Sequence, residues 1–384
     1  MATEPTNSSN APSKDLSPEL QKTPLCEDHI RLGGKMVPFA GWYMPVEYEG
    51  LRAEHSTVRT HVGLFDVSHM GELRVRGPKA LATLQWLTTN DVAALENGKA
   101  QYGLLPNANG GLVDDLIVYC LEKNSDYLVC VNAANTKKDW DWFVANNQGA
   151  DLTNESHEWG QIAVQGPKAL ELCKRLFTDV DFGAPAFTFF TVNHHEFGKC
   201  LVALTGYTGE KGCEIFVPRE FARALWNRLL EVGQPLGVKP IGLGARDTLR
   251  TEMKYSLYGH EITDTTFPHE AGLGWVVKAD KKEFIGKSKI LAAKANMTRK
   301  LVCIKLTDKG IARAEYKVLS SAGATIGYVT SGTLSPSLGV SIAIAYVATE
   351  FAKTGTEVAI DIRGRPAKAV VVDAPFVKTS LAKN

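Results

Sequence analysis

Two adjacent acids, Asp114 and Asp115, follow Gly110-Gly111 and open the β-branched run Leu116-Ile117-Val118-Tyr119. A carboxylate fixed beside a ligand can stabilise developing positive charge or handle a proton. Neighbouring side chains on a strand point to opposite faces, so only one of the two acids can enter a given site. The same Asn-Gly-Gly-then-acid pattern is also ordinary hairpin punctuation. A second candidate is the glycine-dense stretch Thr205-Gly206-Tyr207-Thr208-Gly209-Glu210-Lys211-Gly212, lying between two strand-like runs. It lacks the Gly-Lys-Ser/Thr ending and the strand-to-helix context of a phosphate-binding P-loop. Its glycines suit a tight loop that brings Tyr207 and Glu214 near a planar ligand, or simply a long hairpin. Arg246 and Arg250 stand one turn apart at the start of a helical pattern, so both can serve one face. That face is either a solvated ion-pair surface or a planar fork for an acidic or heteroaromatic ligand.

Other chemistry-bearing residues point to less. Asp66, Ser68 and His69 supply the parts of a hydrolase triad, but Ser68 and His69 are neighbours on an expected strand and face opposite ways. His194-His195 lacks partners at metal spacing and reads as a strand edge. Cysteines stand at 26, 120, 130, 173, 200, 213 and 303, an odd number with no CxxC pair, which argues against a disulfide framework or a zinc site and for a reducing compartment. No metal site is expected.

The elements that must position these residues are visible as an internal echo. Gly77-Pro78-Lys79-Ala80-Leu81 recurs as Gly166-Pro167-Lys168-Ala169-Leu170, 89 residues on. Each copy follows a strand-like run (72–76 and 161–165) and precedes a helical pattern with Pro in its first turn. Downstream of each come two strand-like runs (116–119 with 127–131, and 201–204 with 214–217) and a second helix. The first of these helices carries Trp140 and Phe143; the second carries Phe221, Leu225 and Leu229. Two related strand–helix–hairpin–helix units follow, an α+β layer with antiparallel pairing. Beyond about residue 290 the texture becomes short β-rich runs (301–306, 325–330, 342–347, 357–362 and 367–372) separated by turns, which fits a compact β-barrel or sandwich.

Bulk properties close off other classes. Lys plus Arg number 43 against 42 for Asp plus Glu, so no global field draws the chain to nucleic acid or a membrane. No apolar stretch approaches the roughly 18 residues needed to span a bilayer. Residues 1–23, rich in Ser, Pro, Asn and Thr, read as a disordered tail without signal or transit character, and a cytoplasmic location is expected.

Taken together the strings identify a resemblance. Gly33-Gly34-Lys35-Met36-Val37, Phe39-Ala40-Gly41-Trp42, Met44-Pro45, Phe65-Asp66-Val67-Ser68-His69-Met70, residues 110–118, Val164-Gln165-Gly166-Pro167, Gly206-Tyr207-Thr208-Gly209-Glu210, residues 244–250, Leu257-Tyr258-Gly259, and Thr330-Ser331-Gly332 with Ser335-Pro336 occur in this order. The chain resembles the glycine-cleavage T-protein family over nearly its whole length. That resemblance implies an α+β fold: two related, interleaved, ferredoxin-like α+β subdomains and a C-terminal β-barrel, in a cloverleaf around a central folate pocket. The expected division is a tail over 1–23, the duplicated region over 24–290 and the barrel domain over 291–384.

It also implies an aminomethyltransferase that takes the methylene carbon from S-aminomethyldihydrolipoyl H-protein to tetrahydrofolate. Ammonia and 5,10-methylenetetrahydrofolate are the products, with tetrahydrofolate as co-substrate and lipoylated H-protein as partner. The family's catalytic aspartate corresponds to Asp115, its pterin-holding acid to Glu214 and its arginine to Arg246. Asn132, Met70, Tyr102, Tyr207, Tyr258 and Trp275 fall at pocket-lining positions. Some members carry a C-terminal tyrosine on folate, and the tail Pro375-Phe376-Val377-Lys378-Thr379-Ser380-Leu381 has none. Two alternatives share the pocket. A folate-dependent demethylase is one, sometimes fused to a flavin oxidase whose Gly-x-Gly-x-x-Gly fingerprint is absent here. A non-catalytic folate-binding factor for iron–sulfur maturation is the other; its Lys-Gly-Cys-Tyr string is replaced by Lys211-Gly212-Cys213-Glu214.

Overall fold

The computed structural model describes residues 20–383. Of the tail expected over 1–23, residues 1–19 lie outside the described residues. Gln21 is paired: its amide donates to the Gly41 carbonyl at 2.9 Å and its carbonyl accepts from Tyr43 at 2.9 Å.

Both copies of the echo fold as the same turn. Gly77 has φ +85° and Gly166 φ +133°, a region closed to most side chains. In each copy the glycine carbonyl accepts from the alanine three residues later at 3.0 Å. A Cβ on Gly166 would also stand 2.4 Å from the His61 carbonyl oxygen. The helices begin only at Ala80 and Ala169. Pro78 and Pro167 therefore shape the turn before the helix and do not occupy its first turn as expected.

The duplication extends to the whole strand order. One sheet runs Lys99–Pro106, Leu112–Glu122, Asp126–Val131, Gly71–Arg76, Asp151–Asn154; the other runs Phe189–His194, Gly198–Ala203, Gly212–Pro218, Trp159–Gln165, Val62–Asp66, Val238–Pro240. Set Val62–Asp66 aside and the two orders are the same. That strand comes before every strand of the first sheet in the chain yet belongs to the second, so the two units are interleaved. The strands Lys99–Pro106 and Phe189–His194, one in each unit, were not evident in the hydropathy pattern.

Alternation along the strands sorts side chains into two layers. From Leu112–Glu122, Leu116, Val118 and Cys120 join Leu84, Leu87 and Phe143 under the helices Ala80–Leu87 and Thr136–Ala145. Ile117 and Tyr119 face the other way and meet Phe189, Leu201 and Phe216 of the second sheet. Tyr119 packs edge-on to Phe189 and Phe216 at 5.6 and 5.4 Å, geometry that aromatic quadrupoles favour. The second sheet has its own helix layer, with Leu172, Leu225, Trp226 and Leu229 over Ile162, Val164 and Val202.

The C-terminal strands close into a six-stranded barrel. Closure runs from Arg299–Leu306 to Arg365–Val372, where Cys303 pairs with Val372 and Leu306 with Ala369. The sixth strand, Lys317–Leu319, is three residues long, too short to leave a periodic signal. The barrel docks on helix Leu243–Glu252 through Arg250, whose buried guanidinium pairs with Glu261 at 2.8 Å and donates to Ser331 Oγ at 2.8 Å. No helix among the described residues is long and apolar enough to cross a membrane.

Candidate active site

Strand alternation separates the two acids. Asp114 is 0% exposed on the helix-covered face, and Asp115 is half-buried on the opposite face. Register then places their partners. Leu116 pairs with Val131, so Asn132, just past the end of that strand, lies beside both acids. Its side-chain amide donates to Asp115 Oδ1 at 2.7 Å and to Asp114 Oδ1 at 2.9 Å. Across the other ladder Asp115 sits opposite Leu104, and the Tyr102 hydroxyl donates to Asp115 Oδ2 at 2.9 Å. Burial, followed by the neighbouring Asp114 charge, pushes the Asp115 carboxyl up to about 7, against the donors Tyr102 and Asn132. The group can therefore change protonation state near neutrality.

Tyr102 stacks on Trp275, with ring centroids 5.9 Å apart and planes inclined by 20°. Trp275 is 62% exposed, an apolar platform left open to solvent beside a carboxylate.

A second group of residues comes from the other unit. Glu214 pairs with Ala203 at the loop end of its hairpin. Its Oε2 accepts from Thr205 Oγ1 at 2.6 Å, while among the described residues Oε1 has only a 3.5 Å contact from Gln161. Burial raises the Glu214 carboxyl, opposed by the Thr205 hydrogen bond and the Arg246 charge. Arg246 lies over the Tyr207 ring at 4.7 Å and makes no side-chain hydrogen bond or ion pair among the described residues. A carboxylate with a free oxygen next to a guanidinium with free donors can take a ligand that offers both N–H groups and acceptors.

Tyr207 joins the two groups. Burial raises its phenol, with Arg250 and Arg246 opposing and Asp115 adding to the shift. Its hydroxyl donates to the Ser256 carbonyl and its ring stacks on Tyr255 at 5.8 Å. Met70 packs between the sheets and helix Leu243–Glu252, in contact with both apolar clusters there. Tyr258 is at the rim, its hydroxyl donating to Asp264 at 2.9 Å, with the Leu112 carbonyl an alternative acceptor at 3.2 Å.

Several expectations need correction. Arg246 and Arg250 share a helix face and both act on Tyr207, but they do not serve one ligand: Arg250 is committed to Glu261, Asp247 and the barrel. Ser68 and His69 lie in a turn, not on a strand, with the Met70 amide donating to the Val67 carbonyl at 3.0 Å. Asp66 binds His29 at 2.8 Å instead of His69. Buried His69 is depressed to about 4, by burial first, with Arg246 adding and Asp66 opposing. His194 stacks on Phe197 at 4.4 Å and contacts the Leu176 carbonyl at 3.1 Å.

Some supporting residues had no signal in the sequence. The C-terminal segment crosses back onto the glycine loop: Thr379 donates to the Gly209 carbonyl, Ser380 Oγ accepts from Lys211 at 2.9 Å, and the Ser380 amide reaches Glu210 at 3.2 Å. Gly206, part of the glycine-dense stretch, leaves room for the buried Gln165 side chain, whose Oε1 would stand 2.1 Å from a Cβ there.

Comparison with known proteins fits this geometry. Residues 25–281 match the GCVT N-terminal domain and residues 299–378 the glycine cleavage T-protein C-terminal barrel domain. The chain is 61% identical to an aminomethyltransferase of Bdellovibrio bacteriovorus, over 93% of this chain and 99% of that protein. It is 50% identical to an aminomethyltransferase of Bacteroides thetaiotaomicron, over 94% of this chain and 100% of that protein. The crystal structure of glycine cleavage system aminomethyltransferase T from Bartonella henselae superposes with a TM-score of 0.85 at 33% identity, covering 94% of this chain and 99% of that one. This chain therefore belongs to the glycine cleavage T-protein family.

Proposed function

We propose that this chain, an aminomethyltransferase of glycine cleavage, works through one pocket in which Asp115 is the catalytic carboxylate and Glu214 and Arg246 hold tetrahydrofolate. The reading rests above all on Asp115, half-buried between the Tyr102 hydroxyl and the Asn132 amide. The pterin 2-amino and N3–H groups suit the free oxygen of Glu214. Arg246 supplies donors for the pterin's acceptors, and Tyr207, Tyr258, Met70 and Trp275 line the remaining path. The Tyr102–Trp275 stack offers a face for the aromatic part of the folate.

The substrate donor is the aminomethyl group on a dihydrolipoyl sulfur of H-protein. N5 and N10 each form a bond to the methylene carbon as its bonds to nitrogen and sulfur break. The two N–H protons end on ammonia and on the released thiol. In this reading the negative charge of Asp115 stabilises positive charge developing at the attacking nitrogen, and a carboxyl raised to about 7 can accept a proton near neutrality. Asn132 and Tyr102 hold both carboxylate oxygens, so little reorientation is needed at the moment of reaction.

The test is ammonia release and 5,10-methylenetetrahydrofolate formation from the protein, tetrahydrofolate and aminomethylated H-protein. Turnover that needs all three components is expected. Folate binding without turnover would overturn the reading.

A further inference from the structure

Behind Asp115, on the helix-covered face of its strand, lies a carboxyl that the site described above does not use. Asp139, on helix Thr136–Ala145, is 0% exposed, and among the described residues neither of its oxygens has a hydrogen-bond donor. Its contact is with Asp114, carboxyl to carboxyl. Lys138 does not neutralise it: the ammonium sits 3.9 Å from the Tyr258 ring centroid and 3.7 Å from Asp264. Two touching carboxyls in a protein interior cannot both be ionised, so the pair holds a proton.

The hydrogen bonds decide where that proton resides. Asp114 accepts from the Asn132 backbone amide at 3.1 Å, the Asn132 side chain at 2.9 Å and Asn135 at 2.8 Å. Three N–H donors favour the anion at Asp114, and Asp139 has none. A proton on Asp139 also gives that side chain its missing bond, whereas an ionised Asp139 would be left buried and unpaired.

We propose that Asp139 is a positioning residue, a neutral carboxylic acid whose O–H donates to Asp114 and keeps Asp114 an anion that clamps the Asn132 amide against Asp115. The Asn132 nitrogen lies between the two acids, 2.9 Å from one and 2.7 Å from the other, so a change at Asp114 is passed directly to Asp115. Burial, with the Asp114 charge adding, pushes the Asp139 carboxyl up to about 11. The charged groups acting on it are Asp114 and Asp115 from the strand and Lys138 from its own helix. The consequence for turnover rests on Asp115 being the catalytic carboxylate; the protonation of Asp139 does not.

The experiment is an infrared difference spectrum of the full chain against Asp139→Asn at about pH 9, above the ordinary carboxyl range. The C=O stretch of a protonated carboxylic acid is expected in the wild type and absent from the variant; no such band overturns the proposal. Kinetics supply the second arm. Asp139→Asn, whose amide can donate in place of the O–H, should rescue turnover to within about threefold. Asp139→Leu should lower kcat about tenfold or more with little change in KM for tetrahydrofolate, the scale of losing a hydrogen bond to a charged group. Without its donor Asp114 takes up the proton, its charge behind Asp115 disappears, and the acid-side midpoint of the Leu variant moves to lower pH. A folded Leu variant with wild-type kcat and midpoint overturns the positioning role. If the Leu variant does not fold, a tenfold loss in the Asn variant overturns it instead. A persistent band alongside a fully active Asp115→Asn would remove the reading of Asp115 and leave the proton in place.

Discussion

The two units of the duplicated region use opposite ends of equivalent hairpins. In the first, Asp114, Asp115 and Asn132 lie where Leu112–Glu122 begins and Asp126–Val131 ends. In the second, Thr205 and Glu214 lie where Gly198–Ala203 ends and Gly212–Pro218 begins. Asp115 is on a strand paired on both sides, in ladders with Leu104 and through Leu116 with Val131. Tyr207 is on a loop pinned by side chains, with the C-terminal segment fastened across its glycines. A paired strand fixes a reacting group closely, while a loop allows a ligand to enter and be gripped. On the proposed reading the difference divides the labour: the first unit acts and the second holds.

Breaking the first unit gives the largest effect. Asp115→Asn removes the charge while keeping the shape, and kcat should fall about 10²–10³-fold, the loss typical of a positioned electrostatic group; steady-state ammonia release measures it. Breaking the second unit should act on affinity instead. Glu214→Ala should weaken tetrahydrofolate binding about tenfold to hundredfold, as for loss of hydrogen bonds to a charged group, with a smaller change in kcat; titration calorimetry gives the value. Trp275→Ala removes an exposed stacking platform and should raise KM for tetrahydrofolate about twofold to tenfold. The smallest effect sharpens the picture of the first unit. With Asp115 held near 7 by burial and the Asp114 charge, turnover should rise with pH through that region as the carboxylate forms. Tyr102→Phe removes a donor that favours the anion, so the midpoint of the pH–rate profile should move upward by less than about one unit.

Much of this was legible in the sequence because local rules sufficed. The Gly-Pro-Lys-Ala-Leu echo marked the duplication, since both glycines need a positive φ before the following helix. Period-two reasoning correctly put Asp114 and Asp115 on opposite faces. It did not foresee that Asn132, free of the ladder at a strand end, reaches both. Helical spacing put Arg246 and Arg250 on one face, and tertiary pairing with Glu261 drew Arg250 into the barrel joint. Lys317–Leu319 and the crossing of Val62–Asp66 into the second sheet depend on long-range pairing, which leaves no local pattern. The placement of Asp139 under Asp114 is of the same kind: a helix residue and a strand residue meet only when the layers pack.

Tetrahydrofolate titration into Asp115→Asn, measured beside its turnover, tests the division between units most directly. A dissociation constant within about threefold of wild type, in a variant that has lost turnover, is the result this account predicts. Loss of folate binding along with turnover would contradict it and place Asp115 among the groups that hold the substrate.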